Sequence, residues 1–212
     1  MALYYKSNIN GSDIAIWKIE EDIDELIKLS HIDSSFYDSY NNPKRKREVA
    51  AVRALLFDML GEYQEVLYTS LGKPYLKYNN LNISISHTVG YVAIILNPNT
   101  EVGIDIEKKG DTVLRVKHQY MSDRELDIIA SESDIFRDNL IVCWSAKETL
   151  FKIINKEEID FIEHLVIDDF IRNQNEGKVL MSEHKTDSKK KYTISYKIED
   201  DFVISFCVDT IK

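Results

Sequence analysis

Hydrophobic and polar positions along the chain separate strands from helices. Apolar residues at every second position predict strands, and apolar residues three or four apart predict helices. The strongest helix is predicted over 42–61, because Asn42-Pro43 is a start signal and Gly61 an end signal. Further helices are predicted over 21–30 and 138–155, and a capping-box pattern opens one at Ser122. Strands are predicted at 13–19, 81–86, 91–96, 101–107, 165–171, 179–181, 192–198 and 202–208.

Turn-forming residues indicate how this pattern divides the chain. Asn97-Pro98-Asn99 is the clearest break near the middle, so we place the boundary between an N-terminal half, 1–99, and a C-terminal half, 100–212. Each half runs strand, helix and then strands. That order permits two similar halves related by a pseudo-twofold axis, with a cleft between them.

Composition and charge narrow the class of protein. With 212 residues and 44% hydrophobic content, the chain can bury a core. A net charge of −9 argues against a broad nucleic-acid-binding surface, so we expect any anionic ligand to be held locally. No stretch has the length of a membrane span, and the first residues lack a signal-peptide pattern, so we expect a cytoplasmic protein. Two cysteines, Cys143 and Cys207, lie in apolar surroundings typical of buried thiols.

Three carboxylates stand out as candidate chemistry. Asp105 and Glu107 interrupt an apolar strand and lie on one face of it, where two like charges repel unless something positive lies between them. Glu148 and Lys152 share a helix face. Carboxylate oxygens suit Mg²⁺, and a nearby lysine suits a phosphate. Alternatively, the strand pair faces solvent and Glu148 belongs to an ordinary solvated helix face.

Basic and polar residues in the N-terminal half suit an anion. Ser86-His87 ends a strand, and no aspartate is placed by local spacing to complete a hydrolytic triad with this pair, so we expect the two side chains to cradle a phosphate. The run Lys44-Arg45-Lys46-Arg47 follows a helix start, where a bound anion would offset its unfavourable position in the helix dipole. Arg53 could extend this patch. An ordinary basic turn is the alternative.

These residues also carry a family resemblance. Successive motifs in suitable order and spacing are Gly72-Lys73-Pro74 with Leu76, Ile83-Ser84-Ile85-Ser86-His87, Gly103-Ile104-Asp105-Ile106-Glu107, and Trp144-Ser145-Ala146-Lys147-Glu148 with Lys152. Together they resemble the 4'-phosphopantetheinyl transferases of the surfactin-synthetase-activating (Sfp) type. Ser84 departs from the family pattern, which often has Asn at this position.

The resemblance implies an α+β fold with two similar halves and an active-site cleft between them. It implies a monomer that transfers 4'-phosphopantetheine from coenzyme A to a serine of an apo acyl or peptidyl carrier protein. The N-terminal half would hold the nucleotide end of coenzyme A, and the C-terminal half the metal and the carrier.

The resemblance also implies roles for individual residues. Mg²⁺ would be bound by Asp105, Glu107 and Glu148. Catalytic roles would fall to Glu148, Lys152, His87 and Asp105. Coenzyme A would be bound by Lys44, Arg47, Arg53, Lys73, Ser86, His87, Lys147 and Lys152.

A carrier protein should be acidic, so we expect a local basic patch to bind it. The predicted patch comprises Arg115, Lys117, His118 and Arg124, with apolar Val116 and Met121. Two other functions stay open at this stage. One is a Mg²⁺-dependent phosphohydrolase acting on a nucleotide. The other is a non-catalytic protein that binds coenzyme A or docks to a carrier.

Overall fold

The computed structural model describes residues 3–130 and 133–208. The chain divides into two compact units, with the division between Glu101 and Val102. Each unit contains a large antiparallel sheet and helices that pack on it, so the α+β prediction is confirmed. Within the described residues, no helix combines the length and apolar character needed to cross a bilayer.

The first unit is built on a four-stranded sheet. Its elements are β1 (Leu3–Ile9), β2 (Ser12–Lys18), α1 (Ile23–Ser30), a 3-10 helix (Ser34–Ser39), α2 (Pro43–Leu60), β3 (Val66–Tyr68), β4 (Pro74–Leu76), β5 (Asn82–Thr88) and β6 (Tyr91–Asn97). The sheet order is β1-β2-β6-β5, and β3 and β4 form a separate hairpin. Helix α2 packs on β2 and β6.

Helix α2 forms where its terminal residues predict it. The Asn42 side chain accepts hydrogen bonds from the backbone N–H groups of Lys44 and Arg45, which the first turn of a helix leaves without helical partners. At the other end, Gly61 adopts the left-handed conformation that ends helices. These two caps fix the helix register, and therefore the direction in which the basic residues of its first turn point.

The second unit is built on a five-stranded sheet. Its elements are β7 (Val102–Lys108), α3 (Thr112–Val116), a 3-10 helix (Lys117–Gln119), α4 (Asp123–Ile128), α5 (Ser133–Ile154), β8 (Leu165–Asn173), β9 (Glu176–Glu183), β10 (Lys191–Ile198) and β11 (Phe202–Val208). The sheet order is β7-β11-β10-β9-β8. Helix α5 packs against β7, β11 and β10, so one helix covers the strand that carries Asp105 and Glu107.

Several elements differ from the sequence prediction. Helix α5 begins at Ser133, before the predicted start at 138, and the capping box at Ser122 is present as predicted. The sequence analysis missed β1, the β3–β4 hairpin and α3. Strand β1 does not alternate because it is an edge strand with most of its side chains exposed, so no buried face selects apolar residues at every second position.

Candidate active site

Helix α5 lies unusually close to the sheet of the second unit. Gly103 of β7 faces this helix, and a Cβ atom there would collide with the backbone oxygen of Thr149 and the side chain of Ile153. The hydroxyl groups of Ser145 and Thr149 lie 2.8 and 2.6 Å from Oγ of Ser205 on β11, which fixes the helix on the sheet. The close approach brings side chains of β7 and α5 together.

Asp105 and Glu107 lie on the same face of β7 as Gly103, as the period of a strand predicts. Lys152 Nζ donates to Asp105 Oδ1 at 2.9 Å and to the backbone oxygen of Ile104 at 2.8 Å. Trp144 Nε1 donates to Glu107 Oε1 at 2.8 Å. Each carboxylate of β7 is therefore held by a side chain of α5.

Glu148 lies between these two contacts along the helix. Trp144, Glu148 and Lys152 follow one another at intervals of four residues, so they form a row on one face of α5. The carboxylate of Glu148 is close enough to Asp105, Glu107 and Lys152 to interact electrostatically with all three. The structure thus brings together the three predicted carboxylates and one predicted lysine.

The electrostatics of this cluster are unfavourable for a protein without a bound cation. Burial, and after it the negative charges of Asp105 and Glu107, raises the pKa of Glu148 to about 7, although Lys152 opposes the shift. Burial and the charge of Asp105 also raise the pKa of Glu107. Three carboxylates around one ammonium group leave an excess of negative charge that an added cation would neutralise.

The donor set fits Mg²⁺, which prefers carboxylate oxygens. Within residues 3–130 and 133–208, however, no group of three or more His, Cys, Asp or Glu side chains is arranged as a metal site. Asp105 and Glu107 are directed towards Lys152 and Trp144 instead. Magnesium binding by Asp105, Glu107 and Glu148 therefore stays a prediction.

A separate basic cavity lies in the first unit, at the start of α2. It has a volume of about 420 Å³ and is lined by Asn42, Lys44, Arg45, Glu48, His87, Thr88 and Val89. Arg45 Nη1 lies 2.7 Å from His87 Nε2. The cavity therefore joins the first turns of α2, which supply Lys44 and Arg45, to the end of β5, which supplies His87.

Comparison with known proteins identifies the family. A family model described as the 4'-phosphopantetheinyl transferase superfamily matches residues 101–207, which is half of the chain. The chain belongs to this superfamily. No match was found among curated proteins. The protein is thus a 4'-phosphopantetheinyl transferase, an enzyme class that moves phosphopantetheine from coenzyme A to carrier proteins.

The matched region of the transferase includes Asp105, Glu107, Glu148 and Lys152. It also includes Lys147, for which the structure corrects the sequence prediction. The Lys147 side chain is 0% exposed, and its Nζ lies 2.9 Å from Glu125 Oε1 and 2.8 Å from the backbone oxygen of Phe161. It cannot reach coenzyme A without leaving a buried carboxylate unpaired. Lys147 is therefore a core residue of the transferase and not a ligand-binding one.

Glu125, the partner of Lys147, was not among the site residues predicted from the sequence. Its carboxylate accepts hydrogen bonds from the backbone N–H groups of Ser122 and Ile167, at 2.8 and 2.7 Å. It therefore links α4, α5 and the start of β8. The capping-box pattern at Ser122 pointed to Glu125 as a helix-capping residue, but nothing in the sequence indicated its buried ion pair.

Ser86 and His87 lie in different environments. Adjacent residues of a strand point to opposite faces of the sheet. Ser86 is 7% exposed, whereas His87 is exposed and lines the basic cavity. Of the two, only His87 lines the basic cavity, so the prediction that both side chains cradle one phosphate is corrected for Ser86, and phosphate binding by His87 stays a prediction.

Arg47, Arg53 and Lys73 were also predicted to bind coenzyme A, but they do not line the basic cavity. Arg47 donates two hydrogen bonds to the backbone oxygen of Glu21, and Arg53, which is 7% exposed, donates to the backbone oxygen of Val66. The buried Arg53 thus belongs to the core of the fold, which corrects its assignment to coenzyme A, whereas the assignment of the half-buried Arg47 stays a prediction. Lys73 forms an ion pair with Glu101 and does not line the cavity, so its role stays a prediction.

Two residues of the cavity were missed as functional candidates. Arg45 lay within the predicted basic run but was not selected from it, and Glu48 was not considered. A signal for both was present in the sequence. Lys44 and Glu48 are four residues apart and Arg45 and Glu48 are three apart, so all three share one face of α2.

Proposed function

We propose that this transferase is of the surfactin-synthetase-activating type. It would transfer 4'-phosphopantetheine from coenzyme A to a serine hydroxyl of an apo carrier protein, depend on Mg²⁺, and release adenosine 3',5'-bisphosphate. The observation that carries the proposal is the cluster of Asp105, Glu107 and Glu148 beside Lys152, within the part of the chain that the family matches. The motifs around Lys73 and His87 support the subfamily.

Asp105, Glu107 and Glu148 would hold the magnesium ion. When bound, Mg²⁺ neutralises charge on the pyrophosphate and makes the phosphorus easier to attack. The excess negative charge of the carboxylate cluster is the feature that favours this ion, because a divalent cation relieves the repulsion that, after burial, raises the pKa of Glu148.

The remaining roles follow from the contacts of the cluster. Glu148 accepts the proton of the serine, directly or through a water molecule. Lys152 faces the charge of the phosphates, and Asp105 holds its ammonium group in place. Phosphoryl-type transfer depends mainly on positioning and charge stabilisation, so a site without a protein nucleophile is sufficient.

The basic cavity of the first unit would hold the nucleotide end of coenzyme A. Lys44, Arg45 and His87 supply donors for a phosphate group. The N-terminus of α2 lies at the same place, and helix N-termini favour anions. We assign the phosphate monoester of the nucleotide to this cavity.

The carrier protein would bind near α3. Arg115 and His118 are exposed, and Lys117 and Val116 are half-buried, which supports four of the residues predicted for this patch. The prediction that Met121 belongs to this patch is corrected, because Met121 is 1% exposed and lies in the core of the second unit. Leu114 of α3 is exposed, and it supplies apolar surface to the patch in place of Met121. Arg124 is also exposed, although it donates to the backbone oxygen of Ile167.

The decisive experiment is mass spectrometry of apo carrier domains after incubation with the protein, coenzyme A and Mg²⁺. The proposal predicts that at least one carrier gains the mass of one phosphopantetheine group. If coenzyme A is cleaved while every carrier keeps its mass, the protein is a phosphohydrolase instead. If neither molecule changes, the proposed function is wrong.

A further inference from the structure

The basic cavity of the first unit contains a carboxylate. The side chain of Glu48 is 12% exposed, and Oε1 lies 3.9 Å from Nζ of Lys44. Its Oε2 lies 3.6 Å from Nη1 of Arg45 and 3.8 Å from Nε2 of His87. A negative charge thus lies among the groups that would bind an anion.

The contact between Arg45 and His87 shows how the charges of the cavity are arranged. A guanidinium group only donates hydrogen bonds, so Nε2 of His87 must accept the bond from Arg45. The cationic side chains beside Glu48 are Lys44 and Arg45, and Glu48 is their internal counter-ion.

We propose that Glu48 sets the affinity of the cavity by competing with the phosphate monoester of the nucleotide for Lys44 and Arg45. This inference rests on the proposed function, which places the nucleotide end of coenzyme A in this cavity. A carboxylate repels a dianionic phosphate within the cavity, so Glu48 weakens binding. It also stabilises the cavity without ligand, where two positive side chains would otherwise oppose the helix dipole.

The same competition applies to the product. Adenosine 3',5'-bisphosphate retains the phosphate monoester, so Glu48 weakens its binding as well. Glu48 thus lowers the affinity of substrate and product together, which favours release of the bisphosphate after each turnover.

The test is isothermal titration of the full chain with coenzyme A and with 3'-dephospho-coenzyme A, which lacks the phosphate monoester. Glu48→Gln should bind coenzyme A about tenfold more tightly than the wild type, because one repulsion with a dianion is removed. Its affinity for 3'-dephospho-coenzyme A should be unchanged. The control is Asp58→Asn, which removes the same charge from the same helix at a residue that pairs with Lys6, outside the cavity. It should bind both ligands as the wild type does.

A second variant separates the inference from the proposed function. Arg45→Gln should lose most of the preference for coenzyme A over 3'-dephospho-coenzyme A. If it does, but Glu48→Gln binds coenzyme A no more tightly than the wild type, Glu48 positions the cations and the inference is wrong, while the nucleotide site stands. If Arg45→Gln keeps the full preference, the phosphate binds elsewhere, and the nucleotide site and the inference fail together.

Discussion

Replacing Glu148 by Gln removes one of the like charges that lie together between α5 and β7. The pKa of Glu148 is raised from its ordinary value of 4.5 to about 7. In the unfolded chain this carboxyl group ionises at lower pH than in the folded protein. The folded state therefore loses stability as the pH rises from 4.5 through 7, and the loss is complete above that range.

The size of this effect follows from the shift. One pKa unit corresponds to about 1.4 kcal/mol, so ionised Glu148 costs at most about 3 kcal/mol at pH 8. Glu148→Gln keeps the shape of the side chain and removes this cost. For a chain of this length, a gain of that size raises the melting temperature by at most about 6 to 12 °C. The variant should lose transferase activity while it gains stability.

The assay is urea unfolding at pH 5 and pH 8 with a chelator present. Glu148→Gln should exceed the wild type in unfolding free energy at pH 8, and the difference should fall below about 1 kcal/mol at pH 5, where this carboxyl group of the folded wild type is mostly protonated. Glu157→Gln, at an exposed position after the end of α5, should match the wild type at both pH values. Equal stability of wild type and Glu148→Gln at pH 8 would refute the reasoning.

Three further predictions concern the elements around the site. Gly103→Ala should destabilise the protein by about 1 to 3 kcal/mol in chemical denaturation, because its Cβ collides with α5, whereas Gly110→Ala, where a Cβ meets open space, should have little effect. Lys147→Met should cost about 3 to 5 kcal/mol, since it leaves Glu125 buried and unpaired, and adding Glu125→Gln should recover part of this loss. A larger loss in the double variant would contradict the ion-pair explanation. Arg115→Glu should raise the KM for the carrier without changing the KM for coenzyme A, and an unchanged carrier KM would remove Arg115 from the docking surface.

Local patterns predicted the elements whose signals lie within a few residues. Helix α2 has a cap at each end, strand β5 alternates through Ile83 and Ile85, and strand β6 is a continuous apolar run because both of its faces are buried. The cluster of Asp105, Glu107 and Glu148 could also be anticipated in part. A period of two places the first pair on one face, and the four-residue spacing places Glu148 with Lys152.

The errors concern side chains whose partners are distant in sequence. Lys147 adjoins Glu148, but its environment is set by Glu125 of α4 and the backbone of Phe161. Arg53 is held by the backbone oxygen of Val66. The residues next to a basic residue in the sequence do not show whether it forms an ion pair in the core or binds a ligand. Only the packing of elements decides between them.

The central claim is that carboxylates from β7 and α5 hold one divalent cation on the pyrophosphate of coenzyme A. Anomalous diffraction from crystals grown with coenzyme A and Mn²⁺, as a stand-in for Mg²⁺, tests this most directly. The account predicts an anomalous peak within coordination distance of Asp105, Glu107 and Glu148 and next to the pyrophosphate. A peak bound by other residues, or coenzyme A bound with no peak at these carboxylates, would contradict it.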